Sequence, residues 1–229
     1  MAGILYVVAT PIGNLKDITL RAIEVLGEVD LVIAEDRQRA LKLLSHLELR
    51  KAIVTINSYN EENKAKMIVR QLAQGRKAAL ITAAGTPCIS DPGDRVVRAS
   101  VEAGIEVQAV PGPSAALAAL SISGLSPDRF LFYGFLPQKK GKKKKVLKDI
   151  LSGPFPVVLF ESPRRIGETL ELVREEAPER KVVVYREITK VHEEVLRGPA
   201  DEVAEEVSGG ERRGEYTVIV DGKGRQAPS

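Results

Sequence analysis

Short aliphatic runs alternate with amphipathic stretches through the first half of the chain, and this alternation narrows the fold more than any other feature. Ile4 to Ala9, Leu31 to Ala34, Ile53 to Ile56, Ala78 to Ile81 and Val107 to Val110 read as strands. Between them the sequence predicts a helix capped by Asp17 with Leu20, Ile23 and Leu26 on its apolar face, and a second opened by Asp36 with Leu41, Leu44 and Leu47 on one face. A third helix runs from Asn60 to near Gly75 and a fourth covers 94–103, with Asp91-Pro92 as its start signal. Strand–helix repetition of this kind builds a mostly parallel sheet with covering helices, and ligands of such sheets collect at the carboxyl ends of the strands.

After Gly124 the rhythm changes. L-S-P-D-R at 125–129 has the turn chemistry of a linker. Phe130 to Phe135, Val157 to Phe160, Val182 to Tyr185, Glu194 to Leu196 and Tyr216 to Val220 then read as strands, with helices over 163–176 and 200–207. The later strands lie close together in sequence, which predicts antiparallel pairing. The expected organisation is an N-terminal α/β domain over 1–124, a C-terminal α+β domain with a mixed sheet over 125–222, and a tail over 223–229.

A chain of 229 residues, 44% of them hydrophobic but only 4% aromatic, has enough aliphatic material for one large core or two small ones. No apolar run reaches the length of a membrane span, and the start M-A-G-I-L-Y lacks the features of a signal peptide, so a cytoplasmic protein without a membrane partner is expected. Cys88 is the single cysteine, which excludes an internal disulfide, and His46 and His192 alone give too few soft ligands for a metal cluster, so no metal is expected. The formal charge of +3 does not mark a nucleic-acid binder, but seven lysines fall between Lys139 and Lys148. Two readings of that run stay open: a flexible segment that contacts phosphates, or the solvated face of a helix leading to Val146, Leu147 and Ile150.

Three loops rich in glycine, proline and small residues follow predicted strands: T-P-I-G-N at 10–14, T-A-A-G-T-P-C-I-S-D-P-G at 82–93 and V-P-G-P-S-A-A at 110–116. Each offers backbone rather than side chain to a ligand, and together they suit an extended, adenosine-like molecule. Taken singly, each also reads as an ordinary turn, and the alanines after Ser114 as a tight seat for a helix. None carries the dinucleotide spacing G-x-G-x-x-G or a P-loop, which disfavours a Rossmann dehydrogenase and an NTPase.

The chain resembles the tetrapyrrole-methylase-like S-adenosylmethionine-dependent methyltransferases and, among them, the ribosomal RNA small subunit methyltransferase I family. The resemblance rests on L-Y-V-V-A-T-P-I-G-N-L-K-D-I-T-L-R-A (5–22), A-E-D (34–36), A-G-T-P-C-I-S-D-P-G (84–93), V-P-G-P-S-A (110–115), D-R-F-L-F-Y-G-F-L-P (128–137), F-E-S-P-R-R (160–165), R-E-I-T-K (186–190) and R-G-E-Y-T-V-I-V (213–220). It implies a two-domain fold with the cofactor, S-adenosyl-L-methionine, in the cleft between the domains, and a homodimer. It also implies 2'-O-methylation of a cytidine ribose in the decoding region of small-subunit rRNA, on naked rRNA or the 30S subunit. Two other readings remain beside it: a tetrapyrrole C-methyltransferase of the same fold, and a non-catalytic rRNA-binding factor. Two stretches depart from the family's usual pattern. Arg37 and Gln38 follow A-E-D where the family usually has Thr-Arg, and Ala83 precedes A-G-T-P where it usually has aspartate.

For the cofactor, the resemblance points to Pro11 and Ile12, to Gly85, Thr86 and Ile89, and to Ser114 and Ala115, with Phe160, Glu161, Ser162 and Tyr216 closing the pocket. Transfer of a methyl group to a ribose hydroxyl calls for a positioned base. The carboxylates at strand ends are the candidates: Glu35, Asp36, Glu161 and Glu187, with Glu215 beside them. Arg164 and Arg186, together with Lys142, Lys143, Lys144 and Lys145, are the candidates for holding RNA phosphate.

Overall fold

The computed structural model describes residues 3–125, 128–209 and 213–224. The chain divides into two compact units, 1–114 and 115–229. Ser126 and Pro127 of the expected linker, and the expected tail from Arg225 onward, lie outside the described residues.

The first unit contains β1 (Ile4–Val8), α1 (Leu20–Glu28), β2 (Leu31–Ala34), α2 (Arg37–His46), β3 (Ala52–Thr55), α3 (Glu61–Ala73), β4 (Ala78–Ile81), α4 (Asp94–Glu102) and β5 (Glu106–Val110). Its strands form one sheet in the order β3-β2-β4-β1-β5, with every pairing parallel. Side chains alternate across that sheet. Tyr6, Val8, Val32, Ala34, Ala79 and Ile81 pack under α1 and α2, while Leu5, Leu31, Ile33, Ala78 and Leu80 pack under α3 and α4. Cover on both faces explains why β2 and β4 are aliphatic at every position, since neither face meets water.

The helix faces differ from those expected. In α1 the buried residues are Ala22 and Leu26, with Val29 just beyond its end, whereas Leu20 is 79% exposed. In α2 they are Ala40, Leu43 and Leu44, and Leu41 turns outward. Strict three-residue steps slip by about 60° each around a helix of 3.6 residues per turn, so Leu20 and Leu26 stand about 120° apart. Asp17 closes a short 3-10 turn instead of capping α1, and the cap is Thr19, whose Oγ1 accepts the Ala22 N–H at 3.1 Å.

The second unit contains α5 (Ala115–Ser121), β6 (Leu131–Phe135), α6 (Lys140–Leu151), β7 (Val157–Glu161), α7 (Ile166–Glu176), β8 (Lys181–Arg186), β9 (Glu194–Pro199), α8 (Ala200–Gly209) and β10 (Tyr216–Val220). Its sheet runs β6-β7-β10-β8-β9 and is mixed, with β6 and β7 parallel and the other pairs antiparallel. One face is buried under α6, α7 and α8 through Val157, Leu159, Val182, Val184, Tyr216, Val218 and Val220. Helix α5 packs on β7 and β10. That packing explains why the division falls between Ser114 and Ala115 rather than at 124/125.

The lysine run is not a flexible segment. It forms α6, whose Val146, Leu147, Ile150 and Leu151 join the core. Lys143, expected to meet RNA, is 0% exposed: its ammonium lies 2.6 Å from Glu168 Oε2 and 3.4 Å from Thr169 Oγ1. Its helical position points it at α7, and the paired carboxylate offsets the cost of burying the charge.

Replacing Lys143 by Met should therefore leave stability within about 1 kcal/mol, because an apolar chain fills the space and Glu168 still reaches water. Glu168→Ala strands the ammonium and should cost about 2 kcal/mol, less than for a sealed pair because the Glu168 side chain is 39% exposed. The hydrogen bond from Lys143 holds the Glu168 carboxyl below its ordinary value of 4.5, against the opposing effect of burial. Its contribution is present above that value and is lost as pH falls through the lower folded value. Denaturant titrations in acid should accordingly show a shallower loss for Glu168→Ala than for the unaltered chain.

Candidate functional site

In the first unit, β1 and β4 are neighbours whose chains leave on opposite faces of the sheet, β1 toward α1 and β4 toward α4. This is the switch point at which open α/β sheets hold ligands. The turns that follow are locked together by main chain. Thr10 N–H donates to Gly85 O at 2.9 Å, and Gly85 N–H donates back to Thr10 O at 3.0 Å. Ala9 N–H donates to Val110 O at 3.1 Å, Thr10 Oγ1 to Thr82 O at 3.2 Å and Thr86 Oγ1 to Pro113 O at 3.3 Å. The three backbone-rich loops of the sequence thus meet as one cluster at the carboxyl ends of β1, β4 and β5.

Close approach requires the glycines here. Gly85 has φ +84°, and a Cβ on it would lie 3.3 Å from Ile12 Cγ2, while one on Gly112 would lie 3.1 Å from the Ala9 Cβ. Pro11, Ile12 and Gly85 are buried in the cluster, Thr86 and Ser114 are half-buried, and Ile89 is exposed. Cys88 and Ser90 hold positive φ of 67° and 70°, so the loop contains two strained non-glycine residues of the kind that gather at ligand sites. The surroundings of Cys88 disfavour a nucleophile. Burial, with Asp94, Glu61 and Asp91 around it, pushes its thiol up to about 11, and it stays protonated.

The loop's exit is fixed by a residue that the sequence did not point to. Glu61, in the first turn of α3, is buried, and its Oε1 accepts Gly93 N–H at 2.9 Å and Arg95 N–H at 3.0 Å. Helix α4 therefore begins at Asp94 rather than at Asp91-Pro92, with Gly93 at φ +133° ahead of it and a carboxylate from another helix serving as its cap. A cap supplied across 32 residues leaves no local signature of the S/T-x-x-E type.

The strand-end carboxylates separate into different kinds. Asp36 caps α2, its Oδ1 accepting Gln38 N–H at 2.8 Å and Arg39 N–H at 3.0 Å. Glu35, exposed at the end of β2, has its carboxyl raised above 4.5 by burial and then by the Asp91 and Asp36 carboxylates, against the pull of Arg39. Asp91 thus supplies negative charge near Glu35 from the 82–93 loop.

In the second unit Glu161 is buried and fully used. It accepts Ser162 N–H at 2.8 Å and Thr169 Oγ1–H at 2.7 Å, and lies 3.3 Å from Arg165 Nε. Arg165 in turn donates to Leu136 O and Pro137 O at 2.7 and 3.1 Å, so this carboxylate ties α7 to the end of β6. Glu187, at φ +53°, accepts Lys190 Nζ at 2.7 Å and Glu215 N–H at 2.8 Å. Burial raises its carboxyl, but those two donors outweigh burial and hold it below 4.5, which makes it a weaker base than Glu35.

Phe160 and Tyr216, expected on one pocket wall, project from opposite faces of their sheet. Phe160 pairs with Thr217 across the ladder and packs its ring 5.1 Å from Phe132 and 5.8 Å from Phe135. Tyr216 pairs with Glu161 on the helix-covered face and is buried there, lining a cleft of about 400 Å³ with Arg186 and Glu194. Period-two alternation along β7 and β10 forces this separation. Arg186 Nε lies 3.0 Å from Glu194 Oε2, and Arg164 is exposed in the turn before α7. Ser162 is half-buried and gives its N–H to Glu161, and Ala115, half-buried, opens α5. Among the described residues no group of three or more His, Cys, Asp or Glu side chains is placed to hold a metal ion, and no helix is long and apolar enough to cross a membrane.

Loss of the Glu61 carboxylate should loosen the loop exit. Glu61→Ala leaves two amide donors unpaired and should cost about 2–4 kcal/mol, with Glu61→Gln retaining an acceptor and losing less. Denaturant unfolding measures both, and proteolysis of the native state should first cut near 88–93 in the Ala variant.

The profile of the tetrapyrrole (corrin/porphyrin) methylases matches residues 4–204. A curated protein of Coprothermobacter proteolyticus named ribosomal RNA small subunit methyltransferase I is 44% identical over 216 residues, covering 94% of this chain and 96% of its own length. The protein of that name from Thermotoga maritima is 41% identical over 221 residues, covering 96% and 99%. Among solved structures, the methyltransferase CobJ superposes with a TM-score of 0.73 at 18% identity over 100% of this chain and 98% of its own. Diphthine synthase does so with a TM-score of 0.72 at 16% identity, covering 97% and 90%. These two likenesses concern the fold alone. The chain belongs to the tetrapyrrole (corrin/porphyrin) methylase family and, within it, to the ribosomal RNA small subunit methyltransferase I family.

Proposed function

We propose that this protein is an S-adenosylmethionine-dependent methyltransferase that modifies the 2'-hydroxyl of a cytidine in the decoding region of small-subunit rRNA. The observation that carries the reading is the main-chain cluster of three turns at the switch point of the first sheet, in a chain that matches rRNA methyltransferases along nearly its whole length. A cytoplasmic location and a homodimer belong to the same reading.

The cluster fits the methyl donor by its chemistry. Its surface is small-residued, with Gly85 at positive φ where a Cβ would crowd Ile12, and Thr86, Ile89 and Ser114 remain at least partly open around it. S-adenosylmethionine supplies a methyl group already activated on a sulfonium. The protein therefore has two tasks: to align the attacking oxygen, which is worth about 7–11 kcal/mol in favourable cases, and to take up its proton. Glu35 is the carboxylate suited to the second task. It stands at the end of β2, partial burial and then the Asp91 and Asp36 carboxylates raise its affinity for a proton, and it has no capping duty of the sort that occupies Asp36.

The lysines of α6 divide by helical phase. Lys143 and Lys144 turn to α7, where Lys144 Nζ lies 2.8 Å from Glu175, whereas Lys142 and Lys145 are exposed on another side. We assign RNA phosphate binding to Lys142 and Lys145, with Arg164 in support.

Mass spectrometry of small-subunit rRNA from cells with and without this protein tests the function directly. A ribose-methylated cytidine should disappear with the gene, and unchanged rRNA would sink the reading. Replacing Lys142 and Lys145 by Ala should weaken RNA binding and lower its salt slope by about 0.7 for each phosphate that is no longer neutralised, while Lys143→Met leaves that slope unaltered. Glu35→Gln should cut single-turnover transfer by about 10²–10⁴ with donor affinity retained. With Glu35 intact, the rate should fall as pH drops through the raised carboxyl value, above 4.5, where the base takes up a proton before the reaction.

A further inference from the structure

The turn between β3 and α3 holds a side chain that neither the core nor the donor cluster uses. Tyr59 is 96% exposed, the highest value among the large hydrophobic side chains of the described residues. The turn that carries it is rigid. Asn57 N–H donates to Asn60 Oδ1 at 2.8 Å, and Asn57 Oδ1 accepts the N–H groups of Tyr59 and Asn60, both at 3.0 Å. Asn60 N–H also donates to Asn57 O at 3.1 Å, closing a tight turn with Tyr59 inside it. Such reciprocal Asn bonds fix the backbone beneath the ring without covering the ring itself.

The position of the turn matters as much as its rigidity. Ile56 N–H donates to Ala34 O at 3.0 Å, so the chain enters the turn beside the residue that precedes Glu35. Tyr59 follows three residues later and is no more than about 11 Å from Ile56. Two residues beyond Tyr59, Glu61 bonds to Gly93 N–H and Arg95 N–H at the exit of the 82–93 loop. The turn is therefore tied on one side to Ala34, the residue before the candidate base, and on the other to the exit of the candidate donor loop. Two arginines sit on the flanking elements: Arg37 of α2 donates to Ile53 O on β3 at 3.3 Å, and Arg95 of α4 lies 3.8 Å from Glu62 of α3.

We propose that Tyr59 is a substrate-contacting residue on which an unstacked nucleobase of the RNA, at or next to the methylated nucleotide, lies face to face. The inference rests on the functional reading above and adds to it the residue that grips the base. A ribose hydroxyl inside a stacked helix is poorly presented to a base at a strand end. Single-stranded RNA is ordinarily held by stacking on aromatic rings, with arginine and lysine on its phosphates, and Tyr59 offers such a ring fully exposed. The phenol ring suits the role through its face, so the hydroxyl is dispensable.

The chain contains no tryptophan, so Tyr59→Trp introduces a single fluorescent reporter at the turn. Titration with a short single-stranded oligoribonucleotide should quench its emission, and the methyl donor alone should not. Tyr59→Ala should raise the KM for small-subunit RNA by about 5- to 100-fold, with Tyr59→Phe close to the unaltered protein and donor affinity by calorimetry equal in all three. Absence of quenching, or a Tyr59→Ala protein with unchanged RNA affinity and KM, overturns the stacking while normal transfer by the unaltered protein leaves the enzyme reading in place. If the unaltered protein neither binds nor methylates RNA, both fall together. A Tyr59→Ala protein that fails to methylate assembled subunits while its oligoribonucleotide binding stays intact also overturns the proposal, since Tyr59 would then be touching ribosomal protein.

Discussion

A pair of main-chain hydrogen bonds between Thr10 and Gly85 is the constraint on which the candidate site depends. Parallel strands end in loops that are free to diverge, and here β1 and β4 send their chains to opposite faces of the sheet. Without a tie, their turns would open away from each other. The reciprocal pair pins them across the switch point, the Thr86 hydroxyl extends the tie to Pro113, and the loop after β5 joins the same cluster. Because the tie is made by backbone, it survives wide variation in side chains but demands a residue without Cβ at Gly85.

Buried carboxylates do the bracing, and this divides the acidic residues at strand and helix ends into two populations. Glu61 and Glu161 are enclosed and well supplied with donors, one capping α4 and the other linking α7 to β6. Carboxylates engaged in this way hold the 82–93 loop exit and the start of α7 in place. Glu35 is the reverse case: at a strand end, partial burial and then the Asp91 and Asp36 carboxylates increase its hold on a proton. Proximity to a strand end makes Glu35 and Glu161 candidates alike; the donors around each carboxylate separate them.

The same sorting applies to the lysines. A run of like charges reads as uniform in the sequence, yet an α-helix turns successive residues through about 100° and assigns them to different surroundings. Lys143 faces α7 and is buried against Glu168, Lys144 reaches Glu175, and Lys142 and Lys145 face solvent. The run therefore contributes to the core of the second unit as well as to its surface charge.

The sequence by itself determined the strands, their alternation with helices, the parallel first sheet and the mixed second one, and the three small-residue turns. These are local properties: hydrophobic period, turn chemistry and residue size act within a few positions. It set Leu26, Leu44 and Leu47 against the core as found but turned Leu20 and Leu41 inward, where three-residue spacing suggested a stripe that the helical period does not sustain, and it located the start signal of α4 too early, at Asp91-Pro92. Only the tertiary structure decided that Glu61 caps α4, that Lys143 lies inside the protein, that Phe160 and Tyr216 occupy opposite faces, and that α5 packs on β7 and β10. Each of those depends on residues 25 or more positions apart meeting in space, as with Lys143 and Glu168, and no pattern within a single segment encodes which partner a side chain will find.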